Sequence, residues 1–343
     1  MMSFKVVSTA IVDYPVRNLD ERIKELEGVE FLSKPSPAED DIIAAARDAD
    51  AVVTTTEPFS RRVIDSLKSC RLITTPKTGY DNIDVAAATE AGICISCVAE
   101  ASTEEVADHS MSLLLACARR VVRLDKAIRA GEWKVFHGLE MEQIWKGIVP
   151  IRGQTLGLVS FGRIPRALVP KARGFGMRIL AYDPYVESEA MEKMGVEKVE
   201  LDFLLKESDF VSVHSALTGE NRHMLGADQF KLMKPTAYFI NAARGPLVDE
   251  GALYTALVNG NIAGAGLDVL EVEPIEMDNP LLGLDNVILT GHSAHYSDIS
   301  VATVRRSPIE DISRIMSGKW PEGWVNPEVE AKYIARWGNM RRA

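Results

Sequence analysis

Three charged side chains in the second half of the sequence each follow a short apolar run that is typical of a β-strand. They are Arg244 after residues 237–241, Glu273 after residues 263–268, and His292 after residues 287–289. The carboxyl ends of parallel strands lie at one edge of a sheet, where they line the ligand crevice of doubly wound folds. We therefore expect the arginine, the glutamate and the histidine to converge.

These three side chains suit hydride-transfer chemistry on a 2-hydroxy or 2-oxo acid. A histidine can take the hydroxyl proton as hydride leaves and return it during reduction, because its ordinary pKa lies near neutrality. A neighbouring carboxylate orients the ring and stabilises its charged form. An arginine can bind a substrate carboxylate at two points and polarise the adjacent carbonyl. Glu271 is an alternative partner for His292, and Arg244 could instead only brace a loop.

A second motif predicts a dinucleotide site. Residues 154–174 read as a strand, a tight turn that contains Gly162 and a helix, and a further strand leads to Asp183, 21 positions after Gly162. An acidic side chain about 20 residues after such a turn accepts hydrogen bonds from an adenosine ribose. The N–H groups at the helix start would bind the pyrophosphate. A carboxylate at position 183 repels a 2′-phosphate, so the motif favours NAD over NADP.

The turn departs from the usual G-x-G-x-x-G pattern, since Ser160 and Pro165 replace its first and third glycines. We expect an ordinary φ at Ser160. Pro165 is tolerable in a first helical turn, where the backbone N–H groups have no partner within the helix. Pro170 falls inside the predicted helix and should kink or shorten it. An ordinary strand, turn and helix without a ligand is the alternative interpretation.

The order of elements predicts an α/β fold with two parallel sheets. Short β-branched runs alternate with longer periodic segments, which is typical of parallel α/β layers. The first set of strands covers residues 6–12, 51–54, 72–75 and 93–98, and the second set runs from residue 156 to residue 289. Between the sets, Ser102–Glu105 resembles a capping box and begins a helix predicted to reach Arg120. A further helix is predicted over residues 300–316.

Composition excludes several classes of protein. The 343 residues predict two domains. A formal net charge of -10 repels nucleic acid and anionic lipid surfaces, so we expect neither as a partner. No apolar run approaches the roughly 20 residues that a membrane span requires, and no secretory signal is visible. Four cysteines in so long a chain do not form a disulfide framework, which favours a cytoplasmic location.

Taken together, these motifs resemble the family of D-isomer-specific 2-hydroxyacid dehydrogenases over nearly the whole chain. The resemblance is carried by Gly79–Asp84, Ser102–His109, the nucleotide turn, and the Ala-Arg-Gly, Leu-Asp-Val and Glu-Pro segments. It implies a Rossmann NAD-binding domain over residues 102–295, inserted in a flavodoxin-like substrate domain of residues 1–101 and 296–343. It also implies D-stereochemistry and a homodimer built on the nucleotide domain.

The resemblance also implies roles for particular residues. The implied catalytic triad is Arg244, Glu273 and His292. The implied NAD contacts are Gly162, Arg163, Ile164, Asp183, Ala242 and Asp268, with Asp268 near the nicotinamide. The implied substrate contacts are Lys77, Thr78, Gly79, Arg244 and His295. No metal site is expected, because neither Cys94-x-x-Cys97 nor His292-x-x-His295 has the further ligands that a metal needs.

Three departures from the family pattern concern the substrate. The ending at His292–Ser297 is similar to the branch that contains the C-terminal binding proteins, in which a tryptophan stands at the position of His295. Gly291 replaces the proline that usually precedes the histidine. Lys77 stands where glycine is common, and its cation could select a second acidic group on the substrate. The alternative for Lys77 is a solvated side chain that points away.

Two other functions stay open from the sequence. The altered turn and the similarity to C-terminal binding proteins suit an NAD(H)-sensing binding protein with little turnover. The same architecture also suits other chemistry, such as phosphite oxidation or a lyase reaction with bound NAD. The complete set of Arg244, Glu273 and His292 favours the dehydrogenase.

Overall fold

The structure is a computed structural model that describes residues 3–11, 19–98, 100–131 and 145–341. Contacts within the chain divide it into two compact units. Unit 1 comprises Met1–Ser102 and Tyr296–Ala343, and unit 2 comprises Thr103–His295. Unit 2 is therefore inserted into the sequence of unit 1.

The first part of unit 1 alternates strands with helices. Its elements are β1 (Phe4–Ser8), α1 (Leu19–Lys24), β2 (Val29–Ser33), α2 (Glu39–Ala46), β3 (Ala51–Val53), α3 (Arg61–Ser66), β4 (Leu72–Thr74), α4 (Val85–Glu90) and β5 (Cys94–Ser96). The strands form a parallel sheet in the order β2-β1-β3-β4-β5. Successive strand side chains point to opposite faces, so Val6 and Val7 enter two different apolar cores.

Unit 2 contains a larger parallel sheet. Its elements are α5 (Thr103–Ala118), α6 (Val121–Arg129), β6 (Thr155–Val159), α7 (Arg163–Gly174), β7 (Arg178–Tyr182), α8 (Ser188–Glu192), β8 (Glu197–Lys198), α9 (Leu201–Glu207), β9 (Phe210–Val213), α10 (Ala227–Leu232), β10 (Tyr238–Asn241), α11 (Glu250–Val258), β11 (Gly264–Leu267) and β12 (Val287–Leu289). The strand order is β12-β11-β10-β9-β6-β7-β8. Strand β6 is buried along its whole length, which is typical of a parallel strand covered on both faces.

The last part of the chain completes unit 1 with α12 (Asp298–Met316) and α13 (Glu330–Trp337). The Asn326 side chain accepts a hydrogen bond from the Ile95 N–H at 2.9 Å and donates one to the Ile93 carbonyl at 3.0 Å. The indole N–H of Trp337 donates to the Gly92 carbonyl at 3.2 Å. These bonds hold the end of the chain on the edge of the unit 1 sheet.

The predicted α/β class with two doubly wound parallel sheets is confirmed, while several boundaries differ from the predicted ones. Strand β1 ends at Ser8 instead of continuing to residue 12. Helix α5 ends at Ala118 and not at Arg120. Arg120 has a φ of 52°, in the left-handed region that ends a helix, and α6 begins directly after it.

Helix α7 is not shortened at Pro170, although shortening is one of the two outcomes expected for that proline. The helix runs through Pro170 to Gly174. An interior proline costs about 3 kcal/mol. Burial of Leu168 and Val169 in the core of unit 2 contributes about 1.5–3 kcal/mol for each side chain, which offsets that cost.

Candidate active site

His292 and Glu273 are hydrogen-bonded to each other in unit 2. His292 follows β12, Glu273 follows β11, and His292 Nδ1 lies 2.7 Å from Glu273 Oε2. An ionised carboxylate only accepts hydrogen bonds, so the ring donates through Nδ1–H. This tautomer leaves Nε2 available to exchange a proton with a substrate. The two side chains are partly exposed, at 44% and 36%, so a small molecule can reach them.

The environment keeps Glu273 ionised. Burial acts to raise the pKa of Glu273, but the hydrogen bond and positive charge of His292 act to lower it. The Leu270 N–H, which donates to Glu273 Oε1 at 3.0 Å, and the charge of Arg244 lower it further. The pKa of Glu273 therefore lies below its ordinary value, and the carboxylate can stabilise a protonated His292.

Glu271, the alternative partner, has other contacts. Its Oε1 accepts hydrogen bonds from Arg222 Nη2 at 2.8 Å and from His223 Nε2 at 2.5 Å. Its backbone N–H donates to Glu250 at 3.0 Å. Glu273, rather than Glu271, is the carboxylate hydrogen-bonded to His292.

Arg244 lies three residues after the end of β10. The Asn241 side chain donates to the Arg244 carbonyl at 3.0 Å, and Arg244 Nη1 donates to the Ala243 carbonyl at 2.7 Å. The next residue, Gly245, approaches the 270–271 segment so closely that a Cβ would lie 1.8 Å from the Leu270 carbonyl oxygen. This contact requires glycine and brings the Arg244 loop against the segment that leads to Glu273.

Asp268 anchors the backbone around His292. Its carboxylate accepts the N–H groups of Ser293 and Ala294, each at 2.9 Å, and the Thr290 hydroxyl at 2.7 Å. Burial acts to raise the pKa of Asp268, but hydrogen bonds, the largest from His109, lower it to about 2. Asp268 is therefore a fixed, buried anion with an exposed fraction of only 3%.

The backbone at His292 adopts a conformation that few side chains favour. Its φ is 52°, and φ at the preceding Gly291 is 22°. Proline fixes φ near −65°, so a proline cannot occupy position 291 in this loop. A non-glycine residue in the left-handed region costs about 1–3 kcal/mol and persists where neighbouring contacts determine it. The hydrogen bonds to Asp268 supply such contacts.

His295 lies beside His292. Their rings meet edge to face with centroids 5.8 Å apart. Burial lowers the pKa of His295, and the positive charges of His292 and Arg244 lower it further, against an opposing effect of Asp268. His295 therefore joins Arg244, Glu273 and His292 in one cluster of charged and titratable groups.

The nucleotide turn corrects the expectation for Ser160. Its φ is 82°, in the region that glycine favours, and not an ordinary value. The Asp183 carboxylate accepts the Phe161 N–H at 2.8 Å and lies 3.3 Å from the Ser160 hydroxyl. The Ser160 N–H donates to the Tyr182 carbonyl at 2.7 Å. These bonds hold serine in the conformation of the missing glycine.

The start of α7 fits a dinucleotide pyrophosphate. No side chain caps the helix at Gly162, and a Cβ at Gly162 would meet no atom within 4 Å. The amino end of a helix with such open space attracts an anion. Ile164 packs with Val106, Ala242 and Ala294 in a small apolar cluster, so two of the predicted NAD-contacting residues lie together.

The predicted substrate-carboxylate loop, residues 77–79, lies in unit 1 beyond the carboxyl end of β4. Lys77 Nζ donates to Asn82 Oδ1 at 3.0 Å, and Asn82 Nδ2 donates to the Glu57 carbonyl at 2.7 Å. The Thr78 hydroxyl donates to a main-chain carbonyl at 3.3 Å. Lys77 is therefore held in the loop by Asn82, instead of extending as a fully solvated side chain.

Sequence reasoning assigned no chemistry to His109, which contacts the Asp268 network. His109 Nε2 lies 2.8 Å from Thr290 Oγ1 and 3.4 Å from Asp268 Oδ1. Its neighbours are more than 150 positions away in the sequence, so no local pattern marks it. The only available signal was its place within the Ser102–His109 segment.

Two further features bear on the predictions. In the described ranges, no three His, Cys, Asp or Glu side chains form a group that could hold a metal ion. Over the same ranges, no helix combines the length and apolarity needed to cross a membrane.

Comparisons with known proteins agree with this architecture. A family model described as the NAD-binding domain of D-isomer-specific 2-hydroxyacid dehydrogenases matches residues 111–294. A glyoxylate reductase of Korarchaeum cryptofilum (strain OPF8) is 41% identical over 319 residues, which are 92% of this chain and 95% of that protein.

Two solved structures are similar over nearly their whole length. A glyoxylate reductase from Paecilomyes thermophila has a TM-score of 0.82 at 32% identity, covering 96% of this chain and 99% of that one. D-lactate dehydrogenase from Aquifex aeolicus, solved with NAD and lactic acid, has a TM-score of 0.77 at 28% identity, with coverage of 92% and 96%. The chain therefore belongs to the D-isomer-specific 2-hydroxyacid dehydrogenase family and is an NAD-binding oxidoreductase for 2-oxo or 2-hydroxy acids.

Proposed function

We propose that the protein is an NADH-dependent reductase of a small 2-oxo acid such as glyoxylate, with D-stereochemistry where the product is chiral. The observation that carries this proposal is the 2.7 Å hydrogen bond between His292 and Glu273, with the charge of Arg244 acting on the same carboxylate. The glyoxylate reductases among its relatives support the choice of a short substrate.

The proposed roles follow from the chemistry of each side chain. Bound NADH would supply hydride to substrate C2. Arg244 would bind the substrate carboxylate and polarise the carbonyl oxygen. His292 Nε2 would donate a proton to that oxygen, while Glu273 stabilises the charged ring before transfer. The family resemblance implies that Lys77, Thr78 and Gly79 also contact the substrate carboxylate, and that His295 contacts the rest of the substrate.

The cofactor would be held by the residues that the sequence predicted. The open start of α7 at Gly162, Arg163 and Ile164 suits the pyrophosphate, because the helix dipole and N–H groups favour an anion. Asp183 would accept the ribose hydroxyls while it holds the turn. The apolar surface at Ala242 would pack on the nicotinamide side, and Asp268 would help to position the nicotinamide ring.

A substrate panel tests the proposed function. Purified protein is mixed with NADH or NADPH and with glyoxylate, pyruvate, oxaloacetate or 2-oxoglutarate, and cofactor oxidation is followed at 340 nm. We expect turnover with at least one 2-oxo acid. Tight NADH binding without turnover on any acid would support the sensing function instead. Mass spectrometry of the products separates the dehydrogenase from phosphite oxidation and from a lyase reaction.

Replacing Asp183 is expected to weaken the preference for NADH. In Asp183→Asn the side chain keeps its shape but loses the charge that repels a 2′-phosphate, so the ratio of kcat/KM for NADH to that for NADPH should fall at least about tenfold. Asp202→Asn, on the exposed side of α9, is the matched control and should leave the ratio unchanged. A wild-type preference for NADPH, or an unchanged ratio in Asp183→Asn, would contradict the role of Asp183.

Lys77 is expected to favour substrates with a second acidic group. Its ammonium, held by Asn82, would pair with a second carboxylate, and a charge-assisted hydrogen bond contributes about 1.5–3 kcal/mol. Lys77→Ala should therefore lower kcat/KM for oxaloacetate at least about tenfold more than kcat/KM for glyoxylate. Lys68→Ala, at an exposed site in unit 1, is the control. Equal losses on both substrates would remove this role.

We propose further that the protein is a homodimer in the cytoplasm. The family resemblance implies the dimer, and light scattering after gel filtration gives the mass that tests it. The location is supported by four buried free thiols, of which Cys70 and Cys117 have a pKa raised by burial to about 12. Such protonated thiols suit a reducing compartment, and cell fractionation tests the location.

A further inference from the structure

His109 on α5 contacts the loop that carries His292, although it lies far from that loop in sequence. Its Nε2 atom is 2.8 Å from Thr290 Oγ1 and 3.4 Å from Asp268 Oδ1. All three residues belong to unit 2. The neighbouring helical residues Val106 and Ser110 are buried, so α5 is packed on the unit and His109 is held in place.

The direction of the hydrogen bonds can be worked out from the donors present. Thr290 has one hydroxyl proton, which it donates to Asp268 Oδ1 at 2.7 Å. Its oxygen can then only accept from His109, so Nε2 of His109 carries a proton. The Nε2–H of His109 thus points to Thr290 Oγ1 and Asp268 Oδ1. Asp268 in turn accepts hydrogen bonds from main-chain N–H groups of the loop.

Asp268 connects the His109–Thr290 hydrogen bond to the backbone of His292. Its carboxylate accepts the Ser293 and Ala294 N–H groups at 2.9 Å, and its carbonyl accepts the His292 N–H at 2.6 Å. His292 occupies the left-handed region with a φ of 52°, a conformation that depends on its surroundings. Rotation of the Asp268 carboxylate would release two of these three bonds.

We propose that His109 is a positioning residue for the acid/base histidine: it fixes Thr290 and Asp268, and through them the backbone of His292. This inference rests on the proposed function, because it assigns His292 the proton transfer. His109 itself exchanges no proton with the substrate. Its effect lies in the alignment of the imidazole, where a displacement of about 1 Å can cost about 100-fold in rate.

The test begins with His109→Phe, which keeps a planar ring but has no donor. We expect kcat for glyoxylate reduction to fall about tenfold to 100-fold, while the Kd of NADH, from cofactor fluorescence, stays within about twofold of wild type. His109→Gln restores an N–H donor at similar reach and should recover most of kcat. Ser112→Ala, on the exposed face of the same helix, is the matched control and should behave as wild type.

A double-mutant cycle with Thr290→Val separates positioning from a loss of stability. If both side chains act through one network, His109→Phe combined with Thr290→Val should lower kcat little more than either change alone. Thermal melting shows whether each variant is folded. His109→Gln also tests the positioning role. If His109 only filled space, restoring an N–H donor would not raise kcat.

Three results would overturn the inference. One is an unchanged kcat in a folded His109→Phe, and another is a failure of His109→Gln to recover activity. The third is a raised Kd for NADH with an unchanged kcat, which would place His109 in cofactor binding. A wild-type protein that reduces no 2-oxo acid would instead refute the proposed function, so the two failures are distinguishable.

Discussion

His292→Gln is expected to lower kcat for 2-oxo acid reduction about 10³-fold while leaving the Kd of NADH nearly unchanged. Glutamine can donate a hydrogen bond to the carbonyl oxygen but cannot transfer a proton to it. General acid catalysis contributes about 10²- to 10⁴-fold, and the loss should fall in that range. Steady-state rates at saturating NADH and glyoxylate give kcat, and cofactor fluorescence gives Kd.

The matched control for this variant is His223→Gln. His223 is a matched control because its side chain has a similar exposure, 40%, and also hydrogen-bonds to a glutamate, Glu271, which is not the partner of His292. The His223→Gln protein should retain wild-type kcat. A His292→Gln protein that reduces glyoxylate at more than a tenth of the wild-type rate would show that another group supplies the proton.

Arg244→Lys is expected to lower kcat/KM for glyoxylate about 10²-fold or more. Lysine keeps the charge but has no planar fork, so it loses the two-point grip on a carboxylate. Removing one member of a desolvated, hydrogen-bonded charge pair costs about 2–5 kcal/mol, and 1.4 kcal/mol corresponds to tenfold. The loss should appear mainly in kcat/KM, because the guanidinium also polarises the reacting carbonyl.

Arg222→Lys provides the control for this substitution. Arg222 bonds to Glu271, and its side chain is 54% exposed, so the exchange should leave kcat/KM within about twofold of wild type. An Arg244→Lys variant with wild-type kcat/KM would show that Arg244 braces its loop and does not bind the substrate.

The fold can be predicted from the sequence where a strand or helix is specified by its own apolar residues. Runs such as Leu156–Val159 are buried on both faces of their sheet, and their composition alone identifies them. The convergence of Glu273 and His292 follows from the same reasoning, because parallel strands bring their carboxyl ends to one edge. Strands β11 and β12 are adjacent, which brings the two residues to one edge, while the bond itself also depends on the loop contacts of Asp268 beyond the strand ends.

Other features depend on contacts that no local pattern contains. The left-handed φ of Ser160 is held by Asp183, which directly follows a different strand, β7. The link from His109 to Thr290 joins residues 181 positions apart. Helix α7 keeps its length at Pro170 because its buried face outweighs a local penalty. At Ser160 and at Pro170, tertiary contacts override the local conformational preference of the segment. The His109 link is a tertiary contact that no local pattern encodes.

In the proposed reaction, hydride passes from NADH to C2 of a 2-oxo acid while His292 supplies the proton. Incubation of the wild-type protein with pyruvate and NADH deuterated at the transferred C4 position tests this reaction directly, with chiral chromatography and mass spectrometry of the product. We expect D-lactate with one deuterium at C2, and no such product from His292→Gln at matched times. Unlabelled lactate, the L-isomer, or no lactate together with no reduction of any other 2-oxo acid would contradict it.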